Sequence, residues 1–563
     1  MRRVALIGAL LLALALPASA FAHAALLKTV PSASMTVDTS PKQVSLIYSE
    51  AVEPRFAIVS VTNANATSET TGPPTRNTAN ADQLDVPLKQ LRQGWYLVVW
   101  RVISVDGHPV RGAFTFAVGP NAGPAPQFKI PSLSETAATP KLITARWAVF
   151  ISFMAAIGLF VLRMFVARPL RSPPRALSIA FWIALAVALI ATPIYVLIAT
   201  AEFAVRSFWS WGALIPLMRT SAFGRGYLDL ELVLALFAVA AAIAFWVDRP
   251  DREQRSIAEL LATGGALAAA AAAAFVPGIA GHAAQTSPRA LSVPLDGLHV
   301  LSGSLWIGGL IGLLVLWGSL GVARRLAGLT ICVPRFSNVA LTSVIVLFGS
   351  GVAASVLRLP TLASLWQTSY GQAIIVKAGI LLGAIFVASF NLFKTVPGLR
   401  SPVAPPSVAG LLRGLVSTEV VLVAAAVAVA AVLSSLPPPP KALASIGAAT
   451  AHTGPGPVTR LVSSHGYQLQ IGVNPNRAAV PNQFALRVTK NGRPVTGATV
   501  TATFTMLDME MQSQIYKLSE SSPGLYEHSV PALVMVGHWG LTFDVTPRNG
   551  APFVATVVDH ATG

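Results

Sequence analysis

The stretch from Leu177 to Thr200 reads LSIAFWIALAVALIATPIYVLIAT and contains no charged residue. About 20 apolar residues are enough for a helix to cross the ~30 Å hydrocarbon core of a bilayer. Further stretches of this kind lie at about 146–167, 228–247, 257–280, 298–321, 337–357, 373–393 and 412–434. The sequence therefore predicts an eight-helix transmembrane bundle over residues 142–435.

The composition supports a membrane protein and argues against other classes. Hydrophobic residues make up 53% of the 563 residues and charged residues 11%, whereas soluble globular chains carry about 25% charged residues. The 40 Lys and Arg residues exceed the 23 Asp and Glu residues, which gives a net charge of +17. In a soluble chain this excess would suggest a nucleic-acid partner, but here the basic residues lie in short loops between apolar stretches. We expect a lipid bilayer as a partner and no nucleic acid.

The distribution of basic residues predicts the orientation of the bundle. Basic residues are more frequent in the loops after the first, third, fifth and seventh stretches, as with Arg249, Arg252 and Arg255. These loops face the cytoplasm by the positive-inside rule. With an even number of spans, both terminal domains lie outside. We therefore expect a multi-pass protein of the cytoplasmic (inner or plasma) membrane with two extracytoplasmic domains.

The first 22 residues are typical of a secretory signal peptide. Arg2 and Arg3 precede an apolar run from Val4 to Leu16, and Ala20-Phe21-Ala22 is a small-x-small cleavage site. Cleavage after Ala22 would make His23 the first residue of the mature chain. An uncleaved anchor helix is the alternative.

Residues 23–119 predict a first β-domain. Short β-branched and aromatic runs, such as Gly94–Arg101 and Gly112–Val118, are separated by Gly, Pro, Asn and Asp. Several strands at this spacing are typical of an all-β sandwich or barrel. The proline-rich residues 120–141 predict a linker.

A second β-rich segment follows the bundle. Residues 436–460 begin with a run of prolines after Leu436 and predict another linker. Residues 461–563 contain strand-like runs such as Ala498–Phe504 and the hairpin signal Asn491-Gly492. We expect a C-terminal extracytoplasmic β-sandwich.

The first candidate metal site is predicted at the N-terminus that cleavage after Ala22 would create. A terminal His23 offers an α-amine and an imidazole to one ion, and Asp106 and His108 point to the same face of an extended segment. Three nitrogens and one carboxylate oxygen suit tetragonal Cu(II), and the single Cys332 excludes thiolate clusters. The alternative is that Asp106-Gly107 is an ordinary turn and His108 a polar residue at the rim of the domain.

These residues also resemble a known family. His23-Ala24, the segment Tyr48–Pro54 and the segment Ser104–Val110 are similar to the CopC family of periplasmic copper carriers. That resemblance implies Cu(II) binding through His23, Asp106 and His108.

A second candidate site lies in the membrane. Gly281-His282-Ala283-Ala284 ends the fourth stretch, and Leu298-His299 opens the fifth, ahead of Trp306. We expect both histidines at the outer ends of adjacent helices, close enough to share one ion, with Trp306 and Lys377 on the copper path. A polar or ionisable side chain inside a bilayer costs free energy, so such a residue is treated as a candidate functional residue. The alternatives are that the histidines cap their helices in interfacial water and that Lys377 extends outward to water.

These membrane motifs resemble the CopD copper-transport domain, which has eight spans. CopC joined to CopD in one chain resembles the YcnJ-type copper-uptake family.

A third candidate site lies in the C-terminal domain. Met506, Met509 and Met511 carry thioether sulfurs, which suit the softer Cu(I). His538 completes this candidate set. The alternative is that the methionines face the core of the domain. The segment resembles YtkA-like domains.

Together, these sites and resemblances predict a copper-binding transport protein and not an enzyme. The β-domain would capture Cu(II), receive copper from periplasmic chaperones, and pass it to the bundle for import in copper homeostasis or resistance. No phosphate-loop motif is present, so no nucleotide partner is expected. The alternatives are copper export or periplasmic sequestration, a histidine-chelate copper oxidoreductase, and haem electron transfer through His282 and His299.

Overall fold

The structure is a computed structural model. It describes residues 26–33, 35–48, 52–103, 109–123, 139–220, 222–400, 406–436, 438–439, 451–478, 480–507, 513–534 and 537–562. Several predicted features lie outside the described residues: the leader 1–22, His23, Asp106, His108, Met509, Met511 and much of both linkers. The chain forms a helical unit, which includes Thr136–Arg358 and Ser369–Leu436, and a β-rich unit that contains both β-domains.

The predicted eight-helix bundle is present in the helical unit. Eight helices of the described chain are long and apolar enough to cross a bilayer, and we call them spans one to eight. In order they are Pro140–Val166, Arg175–Ala204, Phe223–Val247, Ile257–Ile279, Arg289–Ser319, Arg324–Arg358, Ser369–Leu399 and Ser407–Leu433. In the described chain, three short α-helices lie between spans, Trp211–Thr220, His282–Gln285 and Ser364–Gln367, and a 3-10 turn, Arg168–Leu170, lies between spans one and two.

Several spans begin earlier than their apolar stretches predict, and span six differs most, since it starts at Arg324 and not at residue 337. Span five starts at Arg289, after Pro288, and not at Leu298, so the expectation that His299 opens this helix is wrong. His299 lies about 15 Å into the span. Hydropathy alone predicts that a charged residue such as Asp296 lies in a loop. Here Asp296 forms an ion pair with Arg358, and the helix of span five therefore includes it. Span seven likewise starts at Ser369.

Spans one and five form the most buried part of the bundle. Their most apolar windows are 72% and 61% buried by other protein atoms, whereas span seven is 6% buried. They cross at two glycines: a Cβ added to Gly158 would lie 2.2 Å from the Ser304 carbonyl oxygen and 2.6 Å from the Gly308 Cα. Small residues at a contact between helices allow such close packing in a membrane.

An ion-pair cluster joins spans one, three and four at one end of the bundle. Arg163 lies 2.7 Å from Asp248, and Arg168 lies 3.2 Å from Glu259 and 3.5 Å from Asp248. Glu259 also completes a capping box with Ser256 at the start of span four. These contacts fix the helix ends relative to one another.

The first β-domain contains two four-stranded sheets, with strand orders β1-β3-β6-β5 and β2-β8-β7-β4. The strands are β1 Leu26–Val30, β2 Thr36–Val37, β3 Gln43–Tyr48, β4 Ile58–Asn63, β5 Thr75–Arg76, β6 Gln83–Pro87, β7 Gly94–Ile103 and β8 Pro109–Val118. Tyr48 and Trp100 meet edge to face in the core, with ring centroids 5.8 Å apart. The predicted β-domain is therefore present.

The second β-domain contains ten strands, in the order β10-β11-β12-β16-β15-β14-β17-β18-β9, with β13 paired to β12. They are β9 Ala451–Thr453, β10 Val458–Ser464, β11 Tyr467–Asn474, β12 Asn482–Lys490, β13 Arg493–Pro494, β14 Thr499–Met506, β15 Gln514–Ser522, β16 Leu525–Val530, β17 Gly537–Thr546 and β18 Phe553–Ala561. Strand β11 alternates buried and exposed residues, as expected when one face covers a core. The two β-domains touch where the Ala113 amide donates to the Val534 carbonyl at 3.1 Å.

Candidate functional site

The predicted Cu(II) motif lies in the connection of a long hairpin. Strands β7 and β8 are antiparallel, and their last register pair joins Ile103 to Pro109. The five residues between them include Asp106 and His108, which lie outside the described residues. The ligation of copper by this motif together with His23 stays a prediction.

His299 lies at a polar contact between spans five, six and seven. Its Nδ1 is 3.1 Å from the Leu347 carbonyl oxygen and 3.3 Å from Ser350 Oγ, and its Nε2 is 3.3 Å from Lys377 Nζ. A carbonyl can only accept, so Nδ1 carries the proton and Nε2 presents its lone pair to Lys377. Two residues predicted to lie on the copper path are thus in contact. A metal ion can bind Nε2 only after the Lys377 amine moves aside.

A charged pair, Asp296 and Arg358, lies near the contact of His299 with Lys377. Arg358 Nη2 lies 3.4 Å from Asp296 Oδ1, and the guanidinium also hydrogen-bonds the buried Tyr370 side chain. Apolar stretches alone do not select Asp296 or Arg358, because both residues lie just outside those stretches. The contact between His299 and Lys377 therefore has one carboxylate, Asp296, and one further basic side chain, Arg358, nearby.

Replacing Asp296 with alanine is expected to destabilise the bundle by ~2 kcal/mol, less than the roughly 3–5 kcal/mol of a fully buried pair. Asp296 keeps 26% exposure, but its loss leaves Arg358 without its carboxylate. Unfolding of the detergent-solubilised protein measures the effect. The double variant Asp296→Ala/Arg358→Met should recover part of the loss, and strictly additive destabilisation would contradict this pairing.

Trp306 is separate from the His299 contact. It lies two helical turns, about 10 Å, further along span five, is 1% exposed, and hydrogen-bonds Glu419 of span eight. His282 begins the short helix His282–Gln285 between spans four and five, but its side chain is outside the described part. An ion shared by His282 and His299 therefore stays a prediction.

The two described C-terminal candidates, Met506 and His538, lie on different faces of the domain. Met506 is 2% exposed in the core and pairs in register with Trp539. Side chains alternate along a strand, so His538 points to the opposite face from Trp539. There His538 pairs with His560, and the ring centroids are 4.6 Å apart. Met506 and His538 thus do not face the same side, and sequence reasoning missed His560 because strand pairing brings it there.

Three family comparisons match successive parts of the chain. The CopC domain matches residues 26–119, Copper resistance protein D matches residues 331–433, and the YtkA-like family matches residues 462–544.

Individual relatives agree with this order. The Copper transport protein CutJ of Bacillus subtilis (strain 168) is 27% identical over 552 residues, which cover 95% of this chain and 96% of the relative. Protein YobA of Escherichia coli (strain K12) is 40% identical over 101 residues, 18% of this chain and 82% of the relative. Copper resistance protein C of Escherichia coli is 30% identical over 107 residues, 18% of this chain and 84% of the relative. Among solved structures, CopC from Methylosinus trichosporium OB3b aligns over 100% of its chain and 19% of this one, at 28% identity and a TM-score of 0.16. The chain therefore belongs to the copper transport and copper resistance family in which CopC, CopD and YtkA-like domains follow one another.

Proposed function

We propose that this protein captures Cu(II) on its first β-domain and moves copper through the eight-span bundle into the cytoplasm. The observation that carries the proposal is the contact of His299 with Lys377 between three spans, 3.3 Å from Nε2 to Nζ. It supplies an imidazole nitrogen inside a bundle of a copper-handling chain, and imidazole is a common copper ligand. Both β-domains would then lie on the outer side of the cytoplasmic membrane.

Capture is assigned to His23, Asp106 and His108. A free terminal amine and imidazole give one ion a chelate, and Asp106 and His108 would supply a carboxylate oxygen and a third nitrogen. Periplasmic copper chaperones would load this site. On the second β-domain, His538 with Met509 and Met511 is proposed as a further copper-binding place.

Inward movement follows from the energetics. The sequence has no phosphate-loop motif to couple transport to ATP. An inside-negative potential favours cation entry by about 2.3 kcal/mol per charge per 100 mV. Import therefore needs no further energy source, whereas export of the cation would have to work against this potential.

The decisive experiment is isotope-traced copper flux into sealed vesicles of known orientation that contain the full chain. His299→Ala and His282→Ala should each lower inward flux by about tenfold, which corresponds to ~1.4 kcal/mol on a barrier. His465→Asn is the control, because His465 is an exposed residue of the second β-domain with a left-handed backbone that asparagine also adopts.

Each alternative predicts a different result. Flux only in the outward direction would replace import by export, and binding without flux would favour sequestration. A Soret band in the purified protein would support haem electron transfer, and reductant-dependent oxygen consumption would support a copper oxidoreductase.

A further inference from the structure

His538 and His560 form a cross-strand pair on the second β-domain. They lie directly opposite each other on the antiparallel strands β17 and β18, and each side chain is half-buried. Their ring centroids are 4.6 Å apart, and the ring planes are inclined by 51°. Opposite residues on one face of an antiparallel pair have Cβ atoms about 4.5–5.5 Å apart. The strand register therefore holds two imidazoles side by side at one place.

The separation of the two rings fits a shared metal ion. An ion lies about 2.0–2.1 Å from an imidazole nitrogen, so the centre of each ring lies roughly 3.2 Å from the ion. Two such rings at a right angle about the ion have their centres about 4.5 Å apart, and right angles separate neighbouring ligands in tetragonal Cu(II). Rotation about χ2, a broad torsion in histidine, turns the nitrogens around an axis through the ring centre. The rings can therefore aim nitrogens at one ion while the observed distance is kept.

One ring nitrogen of this pair has no protein partner. His560 Nδ1 is buried and makes no hydrogen bond within the described part of the chain. A buried polar atom without a partner destabilises the folded state. A metal ion bound to this ring would satisfy the nitrogen, because a neutral imidazole nitrogen is a common metal ligand.

The backbone beside the pair is held by a buried carboxylate. Asp559 precedes His560, is 0% exposed, and lies on the opposite face of strand β18. Its Oδ1 accepts hydrogen bonds from Thr453 Oγ1 at 2.9 Å and from Asn476 Nδ2 at 3.0 Å. These bonds fix β18 against β9 and against the turn after β11. Asp559 therefore helps to position His560 and is not itself a ligand of the same ion.

The other described donors narrow the choice of ion. Met506 faces the opposite side of the sheet, so its thioether sulfur does not join the two imidazoles. Within the described ranges, no group of three or more His, Cys, Asp or Glu side chains is placed to hold a metal ion. The pair thus supplies two nitrogen ligands and leaves the remaining positions to water. Such a set favours Cu(II), which binds nitrogen ligands more tightly than the other divalent first-row ions do.

We infer that His538 and His560 together bind one Cu(II) ion on the second β-domain. The inference rests on the proposed function, which assigns copper binding to His538, and it names His560 as the partner ligand. This site has two protein nitrogens, whereas the capture site of the first β-domain is assigned three nitrogens and a carboxylate oxygen. The His538–His560 site should therefore bind Cu(II) more weakly and fill after the capture site.

The test counts Cu(II) bound to the full chain in detergent, by equilibrium dialysis against a buffer that sets the free Cu(II) concentration. His538→Asn and His560→Asn should each bind about one Cu(II) fewer than the wild type. The double variant should lose no more than either single variant, because both side chains serve one ion. His528→Asn is the matched control, since His528 is also half-buried on a strand and faces an aromatic ring, Tyr516. It should keep the wild-type count.

A second readout needs no variant. Copper with ascorbate and oxygen oxidises the imidazoles that bind it, so peptide mass spectrometry of the wild-type chain should find oxidation at His538 and His560 well above that at His528. An unchanged count in both single variants, a doubled loss in the double variant, an equal loss in His528→Asn, or equal oxidation of the three histidines would each overturn the inference. The loss should persist in a His23→Ala background. Absence of copper flux in vesicles would overturn the transport proposal and leave this site standing.

Discussion

A Gly308→Val variant is expected to lose most of its folded membrane bundle. A Cβ at Gly308 would lie 2.6 Å from the Ala155 carbonyl oxygen and 2.6 Å from the Gly158 Cα. Both contacts are to backbone atoms, which cannot rotate away as the end of a side chain can. Overpacking of an adaptable core costs about 1–3 kcal/mol. Here spans one and five must separate, so we expect a larger loss and little monodisperse protein in size-exclusion chromatography of the detergent extract.

The matched control is Gly383→Val in span seven. A Cβ at Gly383 meets no atom within 4 Å, and glycine to valine changes the helix propensity in the same direction at both positions. The control should fold with unchanged yield. Equal yields of both variants would show that spans one and five do not meet at these glycines.

The number of spans could be predicted from sequence because crossing a bilayer requires a long apolar run and little else. The starts of several spans, such as spans five and six, could not. Asp296 and Arg358 neutralise each other across two helices, and hydropathy treats each charge as if it had no partner. A charged residue just outside an apolar stretch is thus a signal that the helix can continue.

The candidate site was predicted in part. His299 and Lys377 could be chosen from sequence because polar residues in apolar stretches are rare. Their contact, and that of Trp306 with Glu419, depend on the rotation and depth of separate spans, which apolar stretches do not encode. Glu419 also lies within an apolar stretch, but only packing assigns Asn391 and Trp306 to it.

In the second β-domain, the strand register could not be predicted from the sequence. Alternation predicts which residues of one strand share a face, but Met506 and His538 are on different strands, β14 and β17. The observed register pairs Met506 with Trp539 and therefore places it on the core side. The same register brings His538 next to His560, which is 22 residues away in the sequence.

Replacing His23 or Asp106 with alanine is expected to weaken Cu(II) binding by the full chain by about 100-fold or more, which corresponds to ~2.7 kcal/mol. His23→Ala removes an imidazole from a terminal chelate, and Asp106→Ala removes the carboxylate that balances the charge of the divalent ion. Competition titration against a chelator of known affinity measures the change, and mass spectrometry must first find a mature chain that starts at residue 23. His465→Asn, in an exposed turn of the second β-domain, should leave affinity unchanged. Wild-type affinity in both variants would remove Asp106 and the terminal chelate from the site.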